Sequence, residues 1–91
     1  WRARKEAYIA HLYNAPPDVK LICVADKLHN CRSTVIDLRQ SGIQIFERFN
    51  AKQGGTLWYY QALIPALAHN WDHWLLDLLR FEVNELVRLG R

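Results

Sequence analysis

Apolar residues recur at helical spacing along most of the chain, and the longest such run extends over residues 17–41. An α-helix advances by about 100° per residue, so positions three and four apart lie on one face. Within this run, apolar residues at those steps form a single stripe: Leu21, Val24, Leu28, Cys31, Val35 and Leu38. The segment is therefore predicted to be one long helix that buries this stripe.

Helical spacing also describes the rest of the chain, and no segment alternates as a β-strand would. We predict an all-α fold, a helical bundle of about five helices in one domain over residues 1–91. The other expected elements are a helix at 2–13 with Tyr8, Ile9 and Leu12 inward, a short helix at 45–49 and a glycine loop at 51–55. Next come a helix at 56–68 that Pro65 should kink or split, and a last helix from Trp71, capped by Asn70, with Leu75, Leu79, Val83 and Leu86 inward.

A ridge of polar residues interrupts the long apolar helix. Asp26, Asn30 and Ser33 lie at positions i, i+4 and i+7, on roughly the opposite side from the apolar stripe. Other apolar residues flank the ridge, and a helix that is apolar on nearly every side is typical of a central helix covered by more than one layer. Because a carboxylate is costly to bury without a partner, Asp26 is a candidate for a metal or ligand site. A solvated ridge on a half-exposed helix remains an equally open interpretation.

The residues around the candidate aspartate form a recognisable motif: Val24-Ala25-Asp26-Lys27-Leu28-His29-Asn30-Cys31-Arg32. This stretch resembles the last metal-ligand motif of the HD superfamily of phosphohydrolases. The most similar branch is the hydrolase domain of the RelA/SpoT alarmone enzymes and its stand-alone relatives. Residues 1–11, 37–39, 46–49 and 57–60 agree with the stand-alone relatives in the same order, so the resemblance covers residues 1–63.

The resemblance implies metal-dependent hydrolysis of a phosphomonoester or pyrophosphoryl ester, with a nucleotide such as a guanosine alarmone as substrate. Asp26 matches the last metal ligand, and Asn30 and Ser33 match positions that contact the nucleotide. Manganese is the implied metal, which would lower the pKa of a bound water and polarise a phosphoryl oxygen. Lys5, in the first helix, is a candidate for contacting substrate phosphates.

The chain departs from the family pattern before the matching motif. Family members also bind the metal with a histidine and an adjacent His-Asp pair, usually followed by a Glu-Asp pair. The family pattern places these residues before the position of Trp1, so they are absent here, and the chain contains no methionine. We therefore expect the chain to be the C-terminal half of an HD domain. On its own it should assemble no metal site, contain no catalytic residue and be inactive.

Other polar candidates favour structural roles. His69 and His73 are four residues apart, a spacing that can bind zinc on one helix face. No third ligand is obvious and tryptophans lie on both sides, so packing is the favoured interpretation. His29 is expected to be buried and hydrogen-bonded. Arg2 and Arg4 could contact substrate phosphates, but a solvated helix N-terminus is the favoured interpretation for both.

Charge and cysteine content narrow the class of protein. A net charge of +3 with scattered arginines does not suggest a nucleic-acid partner. No run of about 18 apolar residues is present, so no membrane partner is expected. Cys23 and Cys31 lie on one predicted helix with Cα atoms about 12 Å apart, too far for a disulfide. Two free cysteines fit a reducing compartment, so a cytoplasmic protein is expected.

The high apolar content predicts that another polypeptide covers part of the surface of this chain. Apolar residues make up 51% of the chain and four are tryptophan, a high load for a domain this small. We expect a homo-oligomer, or association with the missing N-terminal half, with Val19, Ile22 and Cys23 at or near the contact. The alternative function is a catalytically inactive helical module that binds another protein.

Overall fold

Four α-helices and one short 3₁₀ helix make up the structure, a computed structural model that describes residues 1–91. Helix α1 is Arg2–Tyr13, α2 is Pro17–Ser41, the 3₁₀ helix is Ile43–Arg48, α3 is Lys52–Ala68 and α4 is Trp74–Gly90. No strand is present, so the prediction of an all-α helical bundle is confirmed. None of these helices combines the length and the apolar character that crossing a bilayer requires.

The bounds of the first two helices agree with the sequence prediction, and those of the later elements do not. The loop predicted at 51–55 is wrong, because α3 already begins at Lys52. Gly55 is required there for space and not for a turn: a Cβ at this position would lie 2.8 Å from the Cβ of Ala51 and 3.4 Å from the Trp1 ring. Pro65 lies inside α3 without splitting it.

The predicted start of the last helix is also wrong. Helix α4 begins at Trp74 with His73 as its N-cap, because the Nδ1 atom of His73 accepts a hydrogen bond from the Leu75 amide at 3.1 Å. Asn70 is instead in the left-handed region, with φ at +53°, and turns the chain between α3 and α4. Because α4 starts later than predicted, a different leucine faces the core. Leu76 is buried, whereas Leu75, the predicted inward residue, is only partly buried.

Helix α2 packs mainly against α4, whereas α3 packs against α1 and α4 and only slightly against α2. The predicted apolar stripe is buried except for Leu21, which is half-buried. Two ion pairs join α2 to α4, Arg32–Glu82 at 3.4 Å and Arg39–Glu85 at 2.8 Å. Exposed pairs of this kind contribute little to stability, so the α2–α4 contact rests on its buried apolar residues.

One whole side of α2 is exposed, which contradicts the prediction that layers cover it on more than one side. Ile22 is 72% exposed, and Asp26 and His29 are exposed as well. The expectation of a buried His29 is therefore wrong. Cys23 is buried inside the chain, where its Sγ accepts a hydrogen bond from the Tyr8 hydroxyl at 3.4 Å. Tyr8 itself is 39% exposed, so it is not fully inward as predicted.

A buried ammonium joins the ends of three helices. Lys20 of α2 is 2% exposed. Its Nζ donates to the carbonyl oxygens of Tyr13 and Ala66, each at 3.3 Å, and to that of His69. These carbonyls belong to the C-terminal ends of α1 and α3, which lack intrahelical donors and favour a cation. Burial lowers the pKa of this ammonium, and the ring of acceptors opposes that effect.

We predict that Lys20→Met lowers the free energy of unfolding by about 1–3 kcal/mol, because three carbonyl oxygens lose their donor while the apolar stem is kept. Urea denaturation followed by circular dichroism measures the change. The exposed Lys52, substituted in the same way, should shift stability by no more than about 0.5 kcal/mol. Equal stability of the Lys20→Met chain and the unmodified chain would contradict this role.

We also predict that alkaline pH destabilises the chain through Cys31. Burial raises the pKa of this thiol to about 12, whereas the pKa of a cysteine in an unfolded chain is about 8.5. Between these values the folded chain retains a proton that the unfolded chain loses, so stability falls as pH rises through this window. Cys31→Ala should flatten the fall by up to about 1.4 kcal/mol per pH unit, measured by urea titration at a series of pH values. An unchanged slope would refute the assignment.

Candidate functional site

The largest surface cavity lies where α1, α2 and α3 meet the segment that follows the 3₁₀ helix. Its volume is about 490 Å³, within the roughly 300–1,000 Å³ typical of small-molecule sites. We call it the first cavity. It is lined by Trp1, Lys5, Asn30, Ser33, Thr34, Asp37, Phe49, Asn50, Ala51, Thr56, Tyr59 and Tyr60. The lining combines one cation, one carboxylate, two amides, several hydroxyls and aromatic rings.

Helix α2 supplies one wall of the first cavity. A single face of α2 presents four lining residues, because residues three and four positions apart lie on the same side of a helix. They are Asn30, Ser33, Thr34 and Asp37. The Thr34 hydroxyl donates to the Asn30 carbonyl at 2.9 Å, which leaves the Asn30 amide and the Ser33 hydroxyl without an intramolecular partner. Two polar groups of this wall are thus available to a ligand.

Helix α1 supplies the cationic wall. The Nζ of Lys5 lies 4.6 Å from the centre of the Tyr59 ring and 5.9 Å from that of Trp1. These are cation–π contacts, and no carboxylate forms an ion pair with Lys5. The positive charge of Lys5 is therefore available at the edge of the cavity.

Two tyrosines from α3 form the floor. Burial raises the pKa of Tyr59, although Lys27 partly offsets this rise. Burial also raises the pKa of Tyr60. Both phenols therefore remain neutral at physiological pH and present hydroxyl groups and ring surface, not charge. Asp37 is the only carboxylate of the cavity, and it lies 3.9 Å from Arg48.

Lys5, Asn30 and Ser33, the three residues predicted to bind substrate, all line the first cavity. Asp26 does not line it. This residue lies one turn before Asn30 on the same helix, with its side chain 59% exposed and its Oδ2 atom 3.3 Å from the Nζ of Lys27. Burial by itself lowers the pKa of Lys27, but the interactions with Tyr59 and Asp26 outweigh this effect and leave the pKa raised. The ammonium therefore stays charged beside the carboxylate.

The surroundings of Asp26 do not make up a metal site. No three histidine, cysteine, aspartate or glutamate side chains come together anywhere in the structure. Asp26 could supply one oxygen ligand, and the nearest charged group is a cation. The residues of this chain by themselves therefore do not fit a bound divalent metal.

The two histidines weighed as zinc ligands have packing contacts instead. His73 stacks between Trp71 and Trp74, with ring centres 5.5 and 5.7 Å away. Its Nδ1 atom accepts the hydrogen bond from the Leu75 amide that caps α4. His69 meets the edge of Tyr13 at 5.6 Å. These contacts favour the packing interpretation.

Several lining residues were missed by sequence reasoning. Thr34 and Asp37 continue the ridge of Asn30 and Ser33 along α2, so helical spacing could have found them. Trp1, Asn50 and Thr56 come from other elements, and only the folded chain brings them to the cavity. No spacing rule in the sequence marks these three positions.

No protein-family model matches the chain, and no curated protein matches it. The expected relation to HD phosphohydrolases therefore has no support beyond the motif around Asp26 and the stretches that agree with it.

We predict that this chain has no tight divalent-metal site at Asp26, because one exposed carboxylate paired with a lysine cannot enclose a cation. Calorimetric titration with Mn²⁺ should show no binding in the micromolar range or below. The same titration of Asp26→Asn should be indistinguishable. A sub-micromolar site that Asp26→Asn removes would contradict the prediction and place further ligands near this residue.

Proposed function

We propose that the chain forms part of a metal-dependent phosphohydrolase of the HD type, acting on a phosphoester or pyrophosphate ester of a nucleotide. One observation carries the proposal. Lys5, Asn30 and Ser33, chosen from the sequence motif and its context, lie on two different helices and line the same cavity.

The composition of the first cavity suits a nucleotide. Trp1 and Phe49 offer ring surface on which a base can stack, and Asn30 and Ser33 offer a donor amide and a hydroxyl for a base edge or a ribose. Lys5 provides an unpaired positive charge for a phosphate. Aromatic surface together with convergent polar groups that fix the orientation of a ligand is a feature of small-molecule sites.

Asp26 would place the reacting end of the substrate. Four residues of helix separate it from Asn30, a rise of about 6 Å, which is within the span of a nucleotide held at Asn30. In this proposal the carboxylate is one ligand of a divalent metal, manganese by the resemblance, and groups outside this chain supply the other ligands. The chain itself contributes substrate contacts and a single metal ligand, and no catalytic acid or base.

A helical interaction module is the second candidate, and a separate surface favours it. Trp74, Leu78 and Phe81 follow one another at i, i+4 and i+7 on the outer face of α4, with exposures of 66%, 40% and 62%. Three large apolar side chains in one stripe are typical of a surface that another protein covers. This stripe lies on α4, which contributes no residue to the first cavity, so the two functions are separable by mutation.

The proposal predicts the behaviour of an enzyme that contains the chain together with the remaining ligands. Asp26→Asn should lower kcat by about 100-fold or more, since even outer-shell partners of metal ligands cost roughly 10- to 100-fold. Asn30→Ala should instead raise KM by about 2- to 10-fold, the value of one hydrogen bond. Steady-state hydrolysis of a set of nucleotides measures both.

Matched controls are available on exposed helix surfaces. Asp18→Asn makes the same change two turns earlier on α2, and Asn84→Ala makes the same change on α4. Both residues are exposed and neither lines the first cavity, so both should leave kcat and KM unchanged. Full turnover in a well-folded Asp26→Asn enzyme would refute the metal assignment.

A further inference from the structure

A second cavity, of about 430 Å³, adjoins the first. It shares Trp1, Lys5 and Asn50 with the first cavity and adds Arg4 and Tyr8. The four residues from the start of the chain and α1 lie at spacings of i, i+3, i+4 and i+7, so one face of the helix presents them all. The shared residues form the boundary, and a ligand that passes over Lys5 can occupy both cavities.

The second cavity carries positive charge without compensation. Arg4 and Lys5 are its only charged residues, and no carboxylate lines it. Neither forms an ion pair with any carboxylate of the chain. Arg2 differs, because it pairs with Glu6 at 3.3 Å and lies 3.4 Å from the centre of the Trp58 ring. Two adjacent cations without a counter-charge raise the local potential and attract an anion.

The hydrogen-bond donors at this cavity determine which kind of anion it can bind. A guanidinium presents five donors in a planar fork that matches the oxygens of a phosphate, and an ammonium adds a point charge. Asn50 offers a further amide at the boundary between the cavities. The Tyr8 hydroxyl already donates to Cys23, and burial raises its pKa, so Tyr8 bounds the cavity as a neutral group. The donors that remain suit phosphoryl oxygens.

We propose that the second cavity binds a phosphoryl or pyrophosphoryl group through Arg4 and Lys5, and that this group belongs to the ligand whose nucleoside part occupies the first cavity. The nucleoside in the first cavity rests on the proposed function, whereas the anion site itself does not. The sequence alone favoured a solvated helix N-terminus for Arg4 over a contact with substrate phosphates. The assignment of Arg4 as a ligand-binding residue comes from the cavity that Arg4 lines together with Lys5 and Asn50.

Inorganic pyrophosphate is the direct probe of the anion site in the full chain. Titration followed by ¹H–¹⁵N spectra should shift the Arg4 Nε–H and the Asn50 side-chain amide. Arg4→Gln should weaken pyrophosphate binding by about fivefold or more, as expected for a lost guanidinium–phosphate contact at a half-open site. Arg91→Gln removes the same charge from an exposed residue without an ion-pair partner and should leave the affinity within about twofold. Thermal unfolding confirms that each variant is folded.

Equal weakening by Arg4→Gln and Arg91→Gln, or by neither, would overturn the anion site, because binding would then reflect net charge alone or another location. A nucleoside diphosphate separates this inference from the proposed function. Its affinity should fall with Arg4→Gln and with Asn30→Ala, whereas pyrophosphate should respond only to Arg4→Gln. Nucleotide binding that needs Asn30 but not Arg4 would refute the inference alone. Pyrophosphate binding that needs Arg4, without any nucleotide binding at Asn30, would refute the proposed function alone.

Discussion

The Lys20 ammonium joins the C-terminal ends of α1 and α3 to α2. It is buried on α2 and donates hydrogen bonds to free carbonyl oxygens at the C-terminal ends of both α1 and α3. Both helices are thus fixed against α2 near its N-terminus, at one end of the molecule. Asn30 and Asp37 lie 10 and 17 residues further along α2, about 15–25 Å away. The first cavity forms at this other end, where Trp1, α3 and the segment after the 3₁₀ helix surround the space that the three helices leave.

The positive charge of the two cavities depends on which basic side chains form ion pairs with carboxylates. Most arginines of the outer surface are paired with carboxylates, as in the Arg32–Glu82 and Arg39–Glu85 contacts between α2 and α4. Arg4 and Lys5 have no such partner, and the tyrosines beside Lys5 remain neutral because burial raises their pKa values. Two adjacent uncompensated cations therefore lie beside a recess of aromatic and hydroxyl groups. This combination favours a ligand with a ring system at one end and phosphate at the other.

Sequence periodicity predicted the elements whose identity depends on repeated apolar spacing. The bounds of α1 and α2 and the buried stripe on α2 followed from this signal, and so did the shared face of Asn30 and Ser33. The errors arose where tertiary contacts decide local structure. Gly55 was interpreted as part of a loop, but it allows α3 to approach Trp1 closely. His73, and not Asn70, caps α4, because its ring is held in place by stacking on two tryptophans. The charge of Asp26 in an apolar stretch suggested burial, yet its side chain is mostly exposed.

The central claim is that a nucleotide occupies the first cavity, and the aromatic residues allow a direct measurement. Intermolecular nuclear Overhauser effects between a bound guanosine diphosphate and the chain report which rings lie near the ligand. The account predicts contacts from the base and ribose protons to Trp1, Phe49 and Tyr60, which line the cavity. Contacts confined to Trp74 and Phe81, the exposed rings of α4, or no contacts at saturating nucleotide, would contradict it.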